Sequence, residues 1–302
     1  MNNKTIIEKI HSLKKRREAI ILVHNYQLPE VQEIGDFVGD SLELARKSHD
    51  TTCKIILFCG VHFMAETAKI FNPDKKVLMP DLHAGCPMAD MISPEKLQKE
   101  KDAHPEAAVI CYINSAAGVK ALSDICCTSA NGVRVASAVE NNEIIFVPDK
   151  YLGSYVARQV KNKKFYLWSG YCPTHMVFSK EGLLKVKEKH PDAEIVAHPE
   201  CRVDVQEIAD AICSTSQMIT YAKKSNSKKF IICTELGMLY RLKKENPTKE
   251  FIAGSPNAIC PNMKLTTLEK VLWALEDLKF EIEVEESIRL KALGAIERMI
   301  SI

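Results

Sequence analysis

Short apolar runs of strand length alternate along this chain with amphipathic stretches, and the alternation itself repeats. AIILVH (19–24), KIILFCG (54–60) and KKVLMPD (75–81) read as buried strands. The segments 6–17, GDSLELARKS (39–48, opening at Asp40 or Ser41) and VHFMAETAKIF (61–71) carry apolar residues at helical spacing. Strand, helix, strand, helix, strand is the pattern of a parallel sheet with crossover helices.

The same succession occurs twice more. The second pass runs through AVICYIN (108–114), a helix expected from Thr128, EIIFVPD (143–149), the helix GSYVARQVK (153–161) and KFYLWSG (164–170). The third runs through EIVAHPE (194–200), a helix from Ser214 or Thr215, KFIICTE (229–235), the helix MLYRLKKE (238–245) and EFIAG (250–254). His24, Tyr112 and His198 each close the first run, Ser41, Ser129 and Thr215 follow them at equal distance, and Cys86, Cys172 and Cys260 stand in the loop after each last run. A period of about 87 residues means three similar units whose corresponding loops meet at one place.

The expected fold is therefore α/β, with three pseudo-threefold-related αβα units, each holding a small parallel sheet, around a central active site. The units are placed at 1–85 plus 265–302, 86–171 and 172–264. Pro94, Pro105 and the charged segment 95–107 suit a link between the first two units, and 182–193 suits the next link. The tail 265–302 reads as wholly helical and is expected to pack on the first unit.

Composition narrows the class of function. Apolar residues at 46%, charged residues at 26% and a net charge of +2 are ordinary for a globular protein and argue against nucleic acid as a main partner. The first 20 residues are interrupted by charge and lack the apolar core of a secretory signal, and no stretch approaches the length of a membrane span, so a cytoplasmic location with no membrane partner is expected. Eleven cysteines without a signal peptide point to reduced thiols or metal ligands rather than a disulfide framework.

In open parallel sheets ligands bind beyond the carboxyl ends of the strands. His24, Asn25, Tyr26, Tyr112, Asn114, His198, Glu200 and the three repeat-end cysteines are placed there. Three thiolates suit an iron–sulfur cluster with one iron left open as a Lewis acid. They equally suit a closed Cys3His zinc site completed by His175, or core cysteines of the kind expected at Cys53, Cys59, Cys111, Cys213 and Cys233. Ser41, Ser129 and Thr215 are expected at helix starts, where they either cap the helix or bind an anionic small molecule. Trp168 and Met64 read as packing. No GxGxxG or Walker sequence follows any strand, and the CxxxCxxC triad of radical chemistry is absent.

HNYQ (24–27), GDSLELA (39–45), CGVHFMAETAK (59–69), AGCPMADM (84–91), CYINSAAGVK (111–120), HPEC (198–201), STSQM (214–218) and CPNMKL (260–265), taken in order, resemble the quinolinate synthase family over essentially the whole chain. The resemblance implies a triangular molecule of three αβα units around one [4Fe-4S] cluster. It implies condensation of iminoaspartate with dihydroxyacetone phosphate to quinolinate, phosphate and water in de novo NAD biosynthesis, and leaves open a transient hand-off of iminoaspartate from an aspartate-oxidising enzyme. By the same resemblance Cys86, Cys172 and Cys260 are the metal ligands. The substrate contacts fall on His24, Tyr26, Ser41, Tyr112, Ile113, Asn114, Ser129, His175, His198, Pro199, Glu200 and Thr215, and Tyr26, Tyr112, His198 and Glu200 move protons. Some relatives carry CxxC before the last cluster cysteine; here that position is Asn257, so no redox switch is expected in that loop.

Overall fold

The computed structural model describes residues 2–302. In the first unit α1 (Asn3–Arg17), β1 (Ala19–His24), α2 (Pro29–Glu33), β2 (Phe37–Gly39), α3 (Ser41–Asp50), β3 (Ile55–Cys59), α4 (His62–Phe71) and β4 (Lys76–Leu78) follow one another. The second repeats that order with α5 (Pro94–Ala103), β5 (Ala108–Tyr112), α6 (Ala117–Ala121), β6 (Ile125–Cys127), α7 (Gly132–Ala138), β7 (Glu143–Val147), α8 (Lys150–Gln159) and β8 (Lys164–Leu167). The third has α9 (Lys180–Lys189), β9 (Glu194–Ala197), α10 (Val203–Gln206), β10 (Ala211–Ile212), α11 (Thr215–Lys224), β11 (Lys229–Cys233), α12 (Gly237–Glu245) and β12 (Glu250–Ala253), and the chain closes with α13 (Leu268–Asp277) and α14 (Glu286–Ser301).

Each unit holds one four-stranded parallel sheet, and the strand order is the same in all three: β2-β1-β3-β4, β6-β5-β7-β8 and β10-β9-β11-β12. The central strands are buried on both faces, which is why their sequences are unbroken apolar runs rather than alternating ones. The outer strands β2, β6 and β10 are two or three residues long and were not visible as hydrophobic runs. One aspartate per unit sets their register. Asp36 Oδ2 accepts from Ile21 N at 2.8 Å, Asp124 Oδ2 from Val109 N at 2.7 Å and Asp210 Oδ2 from Ile195 N at 2.7 Å.

The segments expected as links are helices, α5 and α9, in the position that α1 holds in the first unit. Each buries a single leucine, Leu97 or Leu183, so the pattern of an amphipathic helix is weak in both. The helix expected from Thr128 begins later, at Gly132. The amide and hydroxyl of Thr128 both bond Asn131 Oδ1, so 128–131 is a turn, and Ser129 stands in that turn rather than at a helix start. The tail is not wholly helical: 278–285 is irregular, with left-handed φ at Leu278 and Phe280, and carries the Leu78–Glu281 bridge. Both helices pack on the first unit as expected, α13 against α1 and β3 and α14 against α4, but α14 also lies across α6 and β6 and so joins the first two units.

The units interlock in a ring through equivalent residues of their shortest helices. Gln32 of α2 donates to Asn25 O and Gln27 O in its own unit and to Gly237 O of the third at 3.0 Å. Gln206 of α10 donates to Pro199 O and Cys201 O, and at 3.5 Å to Tyr151 O of the second. Lys120 of α6, fully buried, donates to Phe63 O and Thr67 Oγ1 of the first, at 3.1 and 2.8 Å. One apolar core runs continuously through the first two units and α14, while the third unit has cores of its own.

Candidate active site

The carboxyl ends of all three sheets face one cavity of about 170 Å³, lined among others by His24, Tyr26, Ser41, Cys86, Tyr112, Asn114, Ser129, Cys172, His175, His198, Glu200, Thr215 and Cys260. A larger open groove of about 920 Å³ runs beside it, between α3, α8 and α11, and shares Asp40 and Ser129 with it. The chemistry belongs to the smaller space, because the thiols, imidazoles and phenols are there. Of the residues the resemblance implied, two lie outside its lining. Ile113 is 1% exposed and lines a void with Ala45, Phe58 and Thr67, and Pro199 faces the groove. Met64, expected as packing, is buried but also lines the cavity.

Each repeat-end cysteine is followed by proline and then a short 3-10 turn, at Ala89–Met91, Pro173–Val177 and Met263–Leu265. Nearby backbone N–H groups act to lower the thiols, those of Met88 and Ala89 on Cys86, of His175 on Cys172, and of Asn262 and Met263 on Cys260. Burial nevertheless dominates. It pushes the Cys86 thiol up to about 12 and raises Cys172 and Cys260 too, so without a metal these groups are neutral and metal binding expels their protons. All eleven cysteines are free thiols; Cys59, Cys111, Cys126, Cys127, Cys201, Cys213 and Cys233 are buried, while these three keep part of their surface exposed, as does Cys53, which was expected in the core but lies outside the cavity.

The donor set fits the cluster that the family implies. Three thiols, one after the last strand of each sheet, open on one cavity and are not paired as disulfides. A single zinc ion fits less well. Tetrahedral zinc with Zn–S near 2.3 Å needs donors about 4 Å apart. Among the described residues, the group whose donor atoms all gather within 4.8 Å is Cys172, His175 and Glu200, without Cys86 or Cys260.

Beside the thiols a directed hydrogen-bond chain joins two phenols. Tyr26 Oη lies 2.6 Å from Thr234 Oγ1, and Thr234 Oγ1 lies 2.9 Å from His175 Nε2. His175 Nδ1 lies 2.8 Å from Glu200 Oε2, and Tyr112 Oη donates to Glu200 Oε1 at 2.6 Å. With Glu200 ionised, His175 donates from Nδ1 and accepts at Nε2 from Thr234, whose oxygen then accepts from Tyr26. Burial acts to raise Glu200, but the neighbouring imidazoles of His175 and His198 and the bonds from His175 and Tyr112 outweigh it and hold the carboxyl below its usual range. Burial and the Glu200 charge raise both phenols well above their ordinary value, so they are proton donors at neutral pH.

Two further imidazoles are neutral. Burial lowers His24 and His198 to about 3. His24 Nδ1 accepts from Tyr26 N at 3.2 Å and His198 Nδ1 from Glu200 N at 3.3 Å, so in each ring Nε2 carries the proton. His198 Nε2 lies 3.2 Å from Ser129 Oγ. At the head of α11, Asn25 Nδ2 donates to Thr215 Oγ1 at 2.7 Å, which orients the threonine hydroxyl as a donor to something else. The first amides of α3 are already taken by Asp40 and Gln217 N is taken by Ser214, so hydroxyls rather than bare helix ends are the free groups there. Asn114 Oδ1 is buried without a partner, a vacant acceptor on the cavity wall.

Thr234 was not read as functional from sequence, nor were Glu235 and Lys264, which form an ion pair behind the site. The Cys-Pro step at 86–87, 172–173 and 260–261 was a readable signal for the three thiols.

Comparison with known proteins agrees with this geometry. The sequence model described as NadA, quinolinate synthetase A protein, matches residues 8–301. The chain is 53% identical over 302 residues to the quinolinate synthase of Thermodesulfovibrio yellowstonii, covering 100% of this chain and 99% of that one. It is 53% identical to that of Dehalococcoides mccartyi and 51% identical to that of Clostridium kluyveri, with full coverage on both sides. No helix among the described residues is long and apolar enough to cross a membrane. With three matching sheets around one thiol-lined cavity, and full-length likeness to these proteins, the chain belongs to the quinolinate synthetase A family of enzymes.

Proposed function

We propose that this enzyme condenses iminoaspartate with dihydroxyacetone phosphate to quinolinate, phosphate and water, with a [4Fe-4S] cluster held by Cys86, Cys172 and Cys260. The observation that carries the reading is that three partly exposed thiols, one in the loop after the last strand of each sheet, share a cavity with the Tyr26 to Tyr112 hydrogen-bond chain. The cluster, when bound, supplies a Lewis acid for the dehydrating steps.

The remaining work falls to side chains. The Nε2–H groups of His24 and His198, being neutral, donate hydrogen bonds to substrate oxygens without adding charge. The hydroxyls of Ser41, Ser129 and Thr215 and the amide of Asn114 suit carboxylate and phosphate oxygens. Tyr26 and Tyr112 lie at the two ends of one chain through Thr234, His175 and Glu200. Both ends donate toward Glu200, so a proton taken from substrate at the Tyr26 oxygen passes through Thr234 and His175 to Glu200, while Tyr112, bonded to the same carboxyl, gives its proton to substrate at the other end, which suits a sequence of isomerisation, carbon–carbon bond formation and ring closure. Free thiols throughout suit a reducing cytoplasm, and an unstable imine substrate suits direct hand-off from an aspartate-oxidising partner.

The test is anaerobic reconstitution followed by chromatography for quinolinate. Wild-type protein is expected to bind about four irons and sulfides and to form quinolinate from the two substrates. Cys86→Ser, Cys172→Ser and Cys260→Ser each lose the cluster, while Cys233→Ser keeps it. Colourless, zinc-loaded wild type without product overturns the reading.

A further inference from the structure

Glu235 follows β11 and is fully buried, yet it touches no part of the chain from Tyr26 to Tyr112. Its four contacts all tie down something else. Oε1 accepts the amide of Cys260 at 3.1 Å, and Oε2 accepts the amide of Gly237, at the first residue of α12, at 2.7 Å. Lys264 Nζ lies 2.9 Å from Oε1 and 3.0 Å from Oε2. The same ammonium donates to the backbone carbonyl of Tyr26. α12 presses on that carbonyl from the other side: a Cβ placed on Gly237 falls 2.6 Å from Tyr26 O and 2.9 Å from Gln27 O.

We propose that Glu235 and Lys264 are a positioning pair that holds the Cys260 thiol of the third unit and Tyr26 of the first in one fixed relation. The inference rests on the proposed cluster assignment of Cys260 and goes beyond it. Glu235 grips the amide of the metal ligand, Lys264 grips the backbone of the proton donor, and a charge-assisted bond joins the two. Burial makes the coupling stiff. The carboxylate has no water to turn to if Lys264 leaves, and the partners on either side are backbone groups that cannot change rotamer. Side chains behind metal ligands commonly set affinity and activity in this way. No equivalent pair lies behind Cys86, where the matching strand β3 is followed by Gly60 and Val61.

The test compares reconstituted wild type with Lys264→Met, Lys264→Arg and Glu235→Gln, using Lys223→Met as a control that removes a surface ion pair, to Glu245, outside the cavity lining. Three quantities are read: iron release to a chelator, kcat and KM measured separately, and the electron paramagnetic resonance spectrum of the reduced cluster. Lys264→Met is expected to load iron fully, release it about 10- to 100-fold faster and lose kcat by a similar factor while KM changes little. Its spectrum shifts from that of wild type, Lys264→Arg recovers most of the loss, and Lys223→Met behaves as wild type. Glu235→Gln, which keeps the shape but not the charge, shows the same pattern and carries the test if Lys264→Met does not fold. Wild-type release rate, kcat and spectrum in both Lys264→Met and Glu235→Gln overturn the pairing while leaving the reaction assignment intact. A wild type that loads no iron overturns the assignment itself.

Discussion

Glu200 is the residue on which the cavity's charge turns. It accepts from Tyr112 and His175, its own amide orients His198, and its charge raises both phenols. Glu200→Gln removes the acceptor that Tyr112 needs in ionised form, and Tyr112→Phe removes the donor. Each is expected to retain iron at the wild-type level and to lower kcat by about 10²- to 10⁴-fold, read from quinolinate formation under saturating substrates. The neutral imidazoles make a second expectation. His24 and His198 titrate at about 3 in the folded chain against 6.5 unfolded, so below pH 6.5 the unfolded chain binds more protons than the folded one. Stability is full above that value and falls as the pH drops from 6.5 toward 3, by about 1.4 kcal/mol per pH unit per imidazole. Urea unfolding at pH 7.5 and 5.5 measures it; His24→Asn should roughly halve the difference between the two pH values, and an unchanged difference would show that His24 is not buried neutral. At this scale much of the site was legible. His24, Tyr26, Tyr112, His198 and Glu200 stand at the ends of obvious strands and recur at one period. Thr234, Glu235 and Lys264 were hidden because each works through a partner far along the chain, and nothing in spacing announces a partner.

Elements divide the same way. The central strands and the long helices are plain in the sequence because burial on two faces, or on one stripe, writes itself as composition. The outer strands β2, β6 and β10 are fixed by an aspartate bond and by their neighbours rather than by apolar residues of their own, so hydrophobicity does not reveal them. α5 and α9 look like charged linkers because one buried leucine each holds them down. Capping sequences do carry information: α3 opens with Asp40 and Glu43 in a reciprocal box, and α11 with Ser214 and Gln217. Asp40→Ala is expected to cost about 1 kcal/mol of stability, whereas Asp40→Asn, which keeps an acceptor for the amides of Leu42 and Glu43, costs a few tenths; chemical denaturation of the two variants separates the cap from the charge.

Across the whole molecule, the ring of bonds from Gln32, Lys120 and Gln206 is what places three separate sheets around one cavity. The two N–H hydrogens of the Gln32 amide are shared among three carbonyls, one of them on the third unit. Gln32→Leu leaves those carbonyls without a donor in a buried place and is expected to cost about 1–3 kcal/mol. Because the third unit has apolar cores of its own while the first two share one, the loss should appear as faster amide exchange at the start of α12 rather than throughout the chain. Uniform acceleration in all three units would argue against a seam there. The ring also bears on how unlike substrates are handled by like modules. Matching strand ends present His24, Tyr112 and His198 at one level and Tyr26, Asn114 and Glu200 two residues on. A perfectly repeated scaffold would greet its ligands identically from three directions and could not tell one end of an asymmetric ligand from the other. Divergence at the second level, to a phenol, an amide and a carboxylate, breaks that equivalence, so direction in this enzyme resides in a handful of substitutions laid over a common frame.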